Sequence, residues 1–282
     1  MVALAVFMTG CSTSSSAFPM ATARNMAKLR AHCAHDVRTL HKRWRKAVRG
    51  TPFHCVTVGE KNGYPLFRVR NSAEGPGGLY VSAGIHGDEP APLWALLEWF
   101  EAGDYQRLGE VPILLFPCLN PWGIVENRRH DADDNDLNRL FDKFALTPIQ
   151  QIREAIAGEC FRVGCCLHED YDAQGAYLYD LNALGSSESA KAILKHSVTA
   201  DVPIDGRKTI DGSRAVQGVV YRKRLKRAQI PGMPEAVSMF MGGFAERTLT
   251  FETPSEFCLT DRIIAHRRFL EQVCRRLYSS AT

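Results

Sequence analysis

Residues 78–90 read GLYVSAGIHGDEP. The run GLYVSAG (78–84) is apolar or small without alternation, the pattern of a strand buried on both faces. It gives way to a polar turn holding His86, Gly87, Asp88 and Glu89 before Pro90. Residues 91–103, APLWALLEWFEAG, then carry helical periodicity and stop at a glycine. A buried strand passing through a polar turn into a helix is the building unit of an α/β sheet protein. Sites in such folds form where strands end and loops begin, so His86 and Glu89 are candidate functional residues from the outset.

The same unit recurs on either side. VPILLFP (111–117) is a second continuous apolar run, and further strands are expected at 160–168, 176–181 and 246–252. Helices are expected at about 148–157, 187–197 and 260–278. Upstream, FHCVTVG (53–59) and PLFRVR (65–70) flank Asn62-Gly63, a hairpin signature. A helical stretch runs from Ala23 to Val48 and ends at Gly50, Thr51 and Pro52. Together these predict one three-layer α/β/α domain over residues 23–282, built on a mixed, mostly buried sheet. Residues 1–22 stand outside it as a tail or signal-like segment. The stretch 203–235 is loop-rich and basic, with YRKRLKR at 221–227, and is expected to lie over the sheet edge.

The 282 residues are 45% hydrophobic and 23% charged, an ordinary composition for a globular protein, with net charge +4. Residues 24–49 hold nine Lys/Arg against Asp36 alone, leaving +8 there and −4 on the rest. Such a run reads first as the solvated face of a helix, and no nucleic-acid partner or stable membrane insertion is expected. At the N-terminus, an apolar run of nine residues precedes Gly10, too short to span a bilayer. No Lys or Arg precedes it, unlike a secretory signal. A cytoplasmic location is therefore favoured, with export or lipid anchoring at Cys11 as the alternative. None of the nine cysteines forms a C-x-x-C pair, which argues against a zinc knuckle and for buried free thiols.

Four polar groups follow apolar strands. They are His86 and Glu89, then LNPWG (119–123) running into NRRHDADDNDLNRLF (127–141), then LHEDYD (167–172), then FETPS (251–255). A catalytic zinc takes three N/O ligands and keeps one position open. His86 and Glu89 supply one of each type, and His168 is the best third ligand. Glu169 follows His168 in a strand and so must face the other way. Glu252 ends another apolar strand and is the candidate carboxylate base. The run Asp131 to Asp142 imitates a calcium loop, but Asp136 replaces the required glycine and Asp142 the twelfth-position glutamate.

His-x-x-Glu, Asn-Pro-x-Gly, an arginine, Asp-x-Asn-Arg, a strand-end His and a strand-end Glu, in that order, resemble the zinc carboxypeptidase superfamily. That superfamily includes carboxypeptidase A-like enzymes, bacterial murein-peptide amidases, and the succinylglutamate desuccinylase and aspartoacylase branch. The resemblance covers roughly residues 40–275. It implies one Zn(2+) per chain on His86, Glu89 and His168, with Glu252 as general base. It implies Arg129 at the scissile carbonyl, although Arg128 lies beside it, and Asn138 and Arg139 at the substrate carboxylate. Asp136 would orient a ligand histidine, and Tyr221 is the nearest candidate for a substrate-clasping tyrosine. The 79-residue interval from Glu89 to His168 suggests trimmed loops, closer to the bacterial amidase or deacylase branches. The expected activity is removal of a residue bearing a free carboxylate from a peptide. The alternatives are N-acyl amino acid deacylation, murein-peptide cleavage, and an inactive binding module, the last disfavoured by the presence of all three ligands and Glu252.

Overall fold

The computed structural model describes residues 34–183, 185–225 and 230–278. Cys11, the tail 1–22, the first part of the helix expected from Ala23, and Lys226 and Arg227 lie outside the described residues.

The first described helix is α1, Val37–Ala47, capped by the Asp36 side chain accepting from the Thr39 amide at 2.9 Å. The hairpin follows as β1, Phe53–Lys61, and β2, Tyr64–Asn71, antiparallel, with Lys61 opposite Tyr64. Asn62 and Gly63 both take positive φ (53° and 80°), as a two-residue hairpin turn requires. The remaining main-sheet strands are β3, Gly78–Ala83; β4, Ile113–Phe116; β5, Phe161–Asp170; β6, Tyr177–Asn182; β9, Val219–Arg222; and β10, Arg247–Pro254. The sheet has eight strands in the order β1-β2-β4-β3-β5-β10-β6-β9. Its centre, β4-β3-β5-β10, is parallel, and β6 runs antiparallel to β10. A separate two-stranded ribbon pairs β7, Thr209–Ile210, with β8, Ser213–Arg214.

Both faces of the sheet are covered. On one, Leu79, Val81, Leu115, Val163, Leu167, Leu249 and Phe251 meet α1, α2 (Ala91–Glu101), α5 (Glu188–Ser197) and α7 (Leu259–Val273). On the other, Tyr80, Leu114, Phe116 and Phe161 meet α4 (Ile149–Ile156), the turn around Leu137, and Met239 of α6 (Glu235–Met241). All six residues of β3 and all four of β4 are buried, which explains why their sequences lack alternation. This is the three-layer mixed α/β fold expected from the sequence.

Two elements depart from expectation. Residues 219–222, within the stretch read as loop, form the edge strand β9 parallel to β6. Residues 235–241 form α6, which roofs part of the cavity described below. Both are short, four and seven residues, and neither carries enough periods to register in a sequence window. Of the described cysteines, Cys118, Cys165, Cys166 and Cys274 are buried free thiols, whereas Cys160 and Cys258 are exposed. Among the described residues no helix is long and apolar enough to cross a membrane.

Candidate metal centre and active site

The site lies at the carboxyl ends of β3, β5 and β10, where parallel strands deliver three polar groups side by side. The turn after β3 carries His86 and Glu89, β5 carries His168, and β10 carries Glu252, which pairs with His168 in the parallel register. The turn after β3 is held from below, as Leu119 and Asn120 donate their amides to Ala83 and Gly84 carbonyls at 3.0 and 2.8 Å. Asn120 also caps α3, Pro121–Glu126, accepting from the Gly123 amide at 2.9 Å. The Asn-Pro-x-Gly stretch is thus the brace of the ligand turn.

Glu89 sits between the two histidines. Its Oε1 is 2.5 Å from His86 Nδ1 and its Oε2 is 2.9 Å from His168 Nδ1. The three side chains are 2–3% exposed, and one donor atom from each falls within 4.8 Å of the others. This is the only such cluster among the described residues. Burial opposes the charged imidazoles, but Glu89 and Asp136 offset it and raise His86, and Glu89 and Glu252 raise His168. Burial by itself would raise Glu89, yet the two imidazoles hold it well below the carboxylate range. Three buried nitrogen and carboxylate donors converging with no other partner between them fit a divalent metal, and two His with one carboxylate is a catalytic zinc set. The site fits zinc through His86 Nδ1, Glu89 and His168 Nδ1.

The surrounding residues fall into place around this cluster. Asp136 Oδ1 is 3.2 Å from His86 Nε2, the ring nitrogen facing away from Glu89. Its Oδ2 accepts from Arg129 Nε and a terminal nitrogen at 3.2 and 3.1 Å. Arg129 also approaches Glu89 Oε1 at 3.7 Å, whereas Arg128 points outward to Asp134. The structure therefore places Arg129, not its neighbour, at the site. Burial pushes Glu252 up to about 8, with Glu89 and Asp170 acting in the same direction and His168 against them. Asn138 and Arg139 line the same cavity, of about 580 Å³. The Asn138 side chain also accepts from the Glu235 amide at 2.9 Å, fastening the start of α6 to this segment.

Glu169 faces the opposite layer, as strand alternation demands, accepting from the Ala91 amide at 2.9 Å and pairing with Arg262. Tyr221 is not where the sequence reading put it. Its hydroxyl donates to the carbonyls of Asn182 and Gly185 at 3.2 and 2.6 Å, and it does not line the cavity. In β9 the next residue, Arg222, faces the cavity instead, because alternate positions face alternate sides. The tyrosines that do line it are Tyr171, Tyr177 and Tyr179. The last two are two residues apart on β6 and so share a face, and the alternation in AYLYD was their signal in the sequence. Beneath the site Tyr80 donates to the fully buried Glu235, a pair 155 residues apart that no local pattern announces.

The profile of the succinylglutamate desuccinylase/aspartoacylase catalytic domain matches residues 77–163. Among solved structures, a candidate metallopeptidase from Shewanella amazonensis SB2B superposes with TM-score 0.74 at 18% identity, covering 88% of this chain and 95% of that one. A metallo-carboxypeptidase from Burkholderia cenocepacia gives 0.62 at 14% identity, over 83% of this chain and 67% of that one. A metallo-carboxypeptidase from Pseudomonas aeruginosa, solved with (2-guanidinoethylmercapto)succinic acid, gives 0.60 at 14% identity, over 83% and 67%. No curated protein matches the sequence. The profile match is confined to residues 77–163, and the solved structures share the fold of this chain.

Proposed function

We propose that this chain is a zinc-dependent amide hydrolase that acts beside a free carboxylate, removing the terminal residue of a peptide in the manner of a carboxypeptidase. The observation that carries the reading is the buried Glu89 carboxylate between two Nδ1 atoms, with Glu252 opposite His168 on the next strand. His86, Glu89 and His168 would hold one zinc ion, which when bound lowers the pKa of a water to about 7 and polarises a carbonyl.

The chain's own groups supply the rest. Glu252 accepts the proton of the attacking water on its carboxylate and returns it to the leaving nitrogen, as a general base and then acid. Its elevated proton affinity in a half-buried setting suits both halves of that transfer. Arg129, tethered by Asp136, presents a fixed cation beside Glu89 where negative charge grows on the carbonyl oxygen. Arg139 and Asn138 receive the substrate carboxylate, for which a guanidinium fork is the matched partner. The cavity walls of Tyr177 and Tyr179 exclude water from the departing residue.

A second reading has its own support. The domain profile over residues 77–163 names desuccinylase and aspartoacylase enzymes, and an N-acyl amino acid presents the same amide and carboxylate. The test is hydrolysis by zinc-loaded protein, with Glu252→Ala as control. Blocked peptides with free C-termini are set against N-succinyl and N-acetyl amino acids. Release of C-terminal residues supports the first reading, and release of the acyl group supports the second. Activity in neither series, or equal activity of Glu252→Ala, overturns both.

A further inference from the structure

Helix α1 carries Arg38, Lys42 and Arg45 at the i, i+4, i+7 spacing of one helical face, and Arg49 follows in the turn just past its end. All four are exposed, and with His41 and Pro65 they line an open groove of about 390 Å³. No carboxylate among the described residues lies within ion-pair distance of any of them. Arg43, on a different face of the same helix, is paired with Glu101 at 2.5 Å. The contrast matters, because like charges one turn apart on a helix destabilise it unless something compensates. The opposite face of α1, Val37, Leu40 and Trp44, is fully occupied by the core. The apolar side of the helix is therefore used up by the core, and the outward side carries the cations, with the Arg45 guanidinium 4.9 Å over the Phe67 ring. At 1.5 Å per residue the three helical cations span about 10 Å along a straight element, with Arg49 beyond them, a line of charge suited to a plane of anions.

We infer that the exposed face of α1 docks this protein on an anionic phospholipid surface. Two observations favour lipid over nucleic acid. The exposed side of α1 presents no aromatic ring for a base to stack on, since Trp44 and Phe67 are both buried. The same end of the chain carries the apolar run of residues 1–9 and further cations at Arg24, Lys28 and Arg30. Each cation held near an anionic bilayer contributes about 1 kcal/mol, so four together make a polybasic docking face. Because α1 belongs to the layer opposite the catalytic cavity, a chain held by this face leaves the cavity open to solvent.

The experiment is co-sedimentation of the full chain with vesicles of phosphatidylglycerol and phosphatidylcholine, against pure phosphatidylcholine. Binding to the anionic vesicles alone is expected, weakening steeply as salt is raised to about 150 mM, where the Debye length is about 8 Å. At roughly fivefold per cation, R38Q/K42Q/R45Q/R49Q should lower the partition coefficient by about a hundredfold or more. R38K/R45K/R49K, which keeps every charge, should bind like the wild type. Circular dichroism of both variants checks that the fold is kept. Equal binding to the neutral vesicles, full binding by the glutamine variant, or tighter binding to duplex DNA than to the anionic vesicles would each overturn the inference.

Discussion

His86 and Asp136 meet at 3.2 Å through Nε2 and Oδ1, on the side of the imidazole turned away from Glu89. In the tautomer that donates the Nε2 proton to Asp136, Nδ1 keeps its lone pair for the candidate metal position. The same carboxylate receives Arg129, so one residue orients both His86 and Arg129. Partners of this kind typically govern metal affinity as strongly as they govern geometry.

Asp136→Asn should therefore weaken zinc binding by roughly ten- to a hundredfold while leaving the fold intact. Competition for zinc against a chelator reads this without any substrate. Because Arg129 loses its tether in the same variant, turnover should fall further than metal loss alone explains once zinc is saturating. Unchanged affinity would separate Asp136 from the metal centre.

Glu252→Ala should cost about ten-thousandfold in kcat, the upper range for a positioned acid–base group, with zinc still bound. The carboxylate lies outside the three-donor cluster, so metal content by atomic absorption should match the wild type. A variant that loses both metal and activity would place Glu252 among the ligands instead.

Arg139→Ala should raise KM roughly ten- to a hundredfold for substrates with a free carboxylate, the usual worth of a hydrogen bond to a charged group. Amidated analogues should be affected little. An equal loss on both would assign Arg139 to holding the segment at residues 138–141, where it already donates to the Asn138 carbonyl at 3.0 Å.

These predictions rest on residues with unequal visibility in the sequence. His86, Glu89, His168 and Glu252 were legible because each ends or follows a buried strand, where an apolar run stops at an ionisable group. Asp136, Asn138 and Arg139 were legible only as members of an ordered set of motifs. Tyr221 was misplaced because the facing of β9 depends on its pairing with β6, Leu181 opposite Arg222, and a four-residue strand carries no register of its own. The Tyr80–Glu235 pair joins elements that nothing local connects. Local pattern reported what each strand carries to its end, and pairing decided which neighbours share a face.

A buried carboxylate away from the candidate metal site gives a pH signature. Glu98 on α2 is 1% exposed, and burial pushes it up to about 7, with Arg267 acting against that rise. A carboxyl held more tightly protonated in the folded state contributes stability below its ordinary value of 4.5, and loses it as pH rises through about 7. Glu98→Gln should match the wild type near pH 4.5 and be the more stable protein above pH 7, by at most about 3 kcal/mol. Thermal midpoints of the two proteins across this range check it, and a constant difference would mean that Glu98 stays charged throughout.

The ligand turn also depends on a residue with no side chain. A Cβ on Gly87 would meet the Gly123 carbonyl carbon at 2.0 Å and the Arg128 oxygen at 2.3 Å, both backbone atoms that no rotamer change can move. Gly87 also donates its amide to the Arg129 carbonyl at 3.3 Å, so the turn bearing His86 and Glu89 and the segment bearing Arg129 are packed backbone to backbone. Gly87→Ala must pry these apart, at about 3 kcal/mol by the measure of overpacked cores, lowering the melting midpoint by roughly 6–12 °C. Gly206→Ala, where a Cβ meets nothing within 4 Å, is the matched control and should leave the midpoint unchanged. Because the clash falls on the braces of both the ligands and Arg129, Gly87→Ala should weaken zinc binding as well as melt earlier. A variant that melts earlier yet keeps full zinc affinity would show that the two segments are positioned independently.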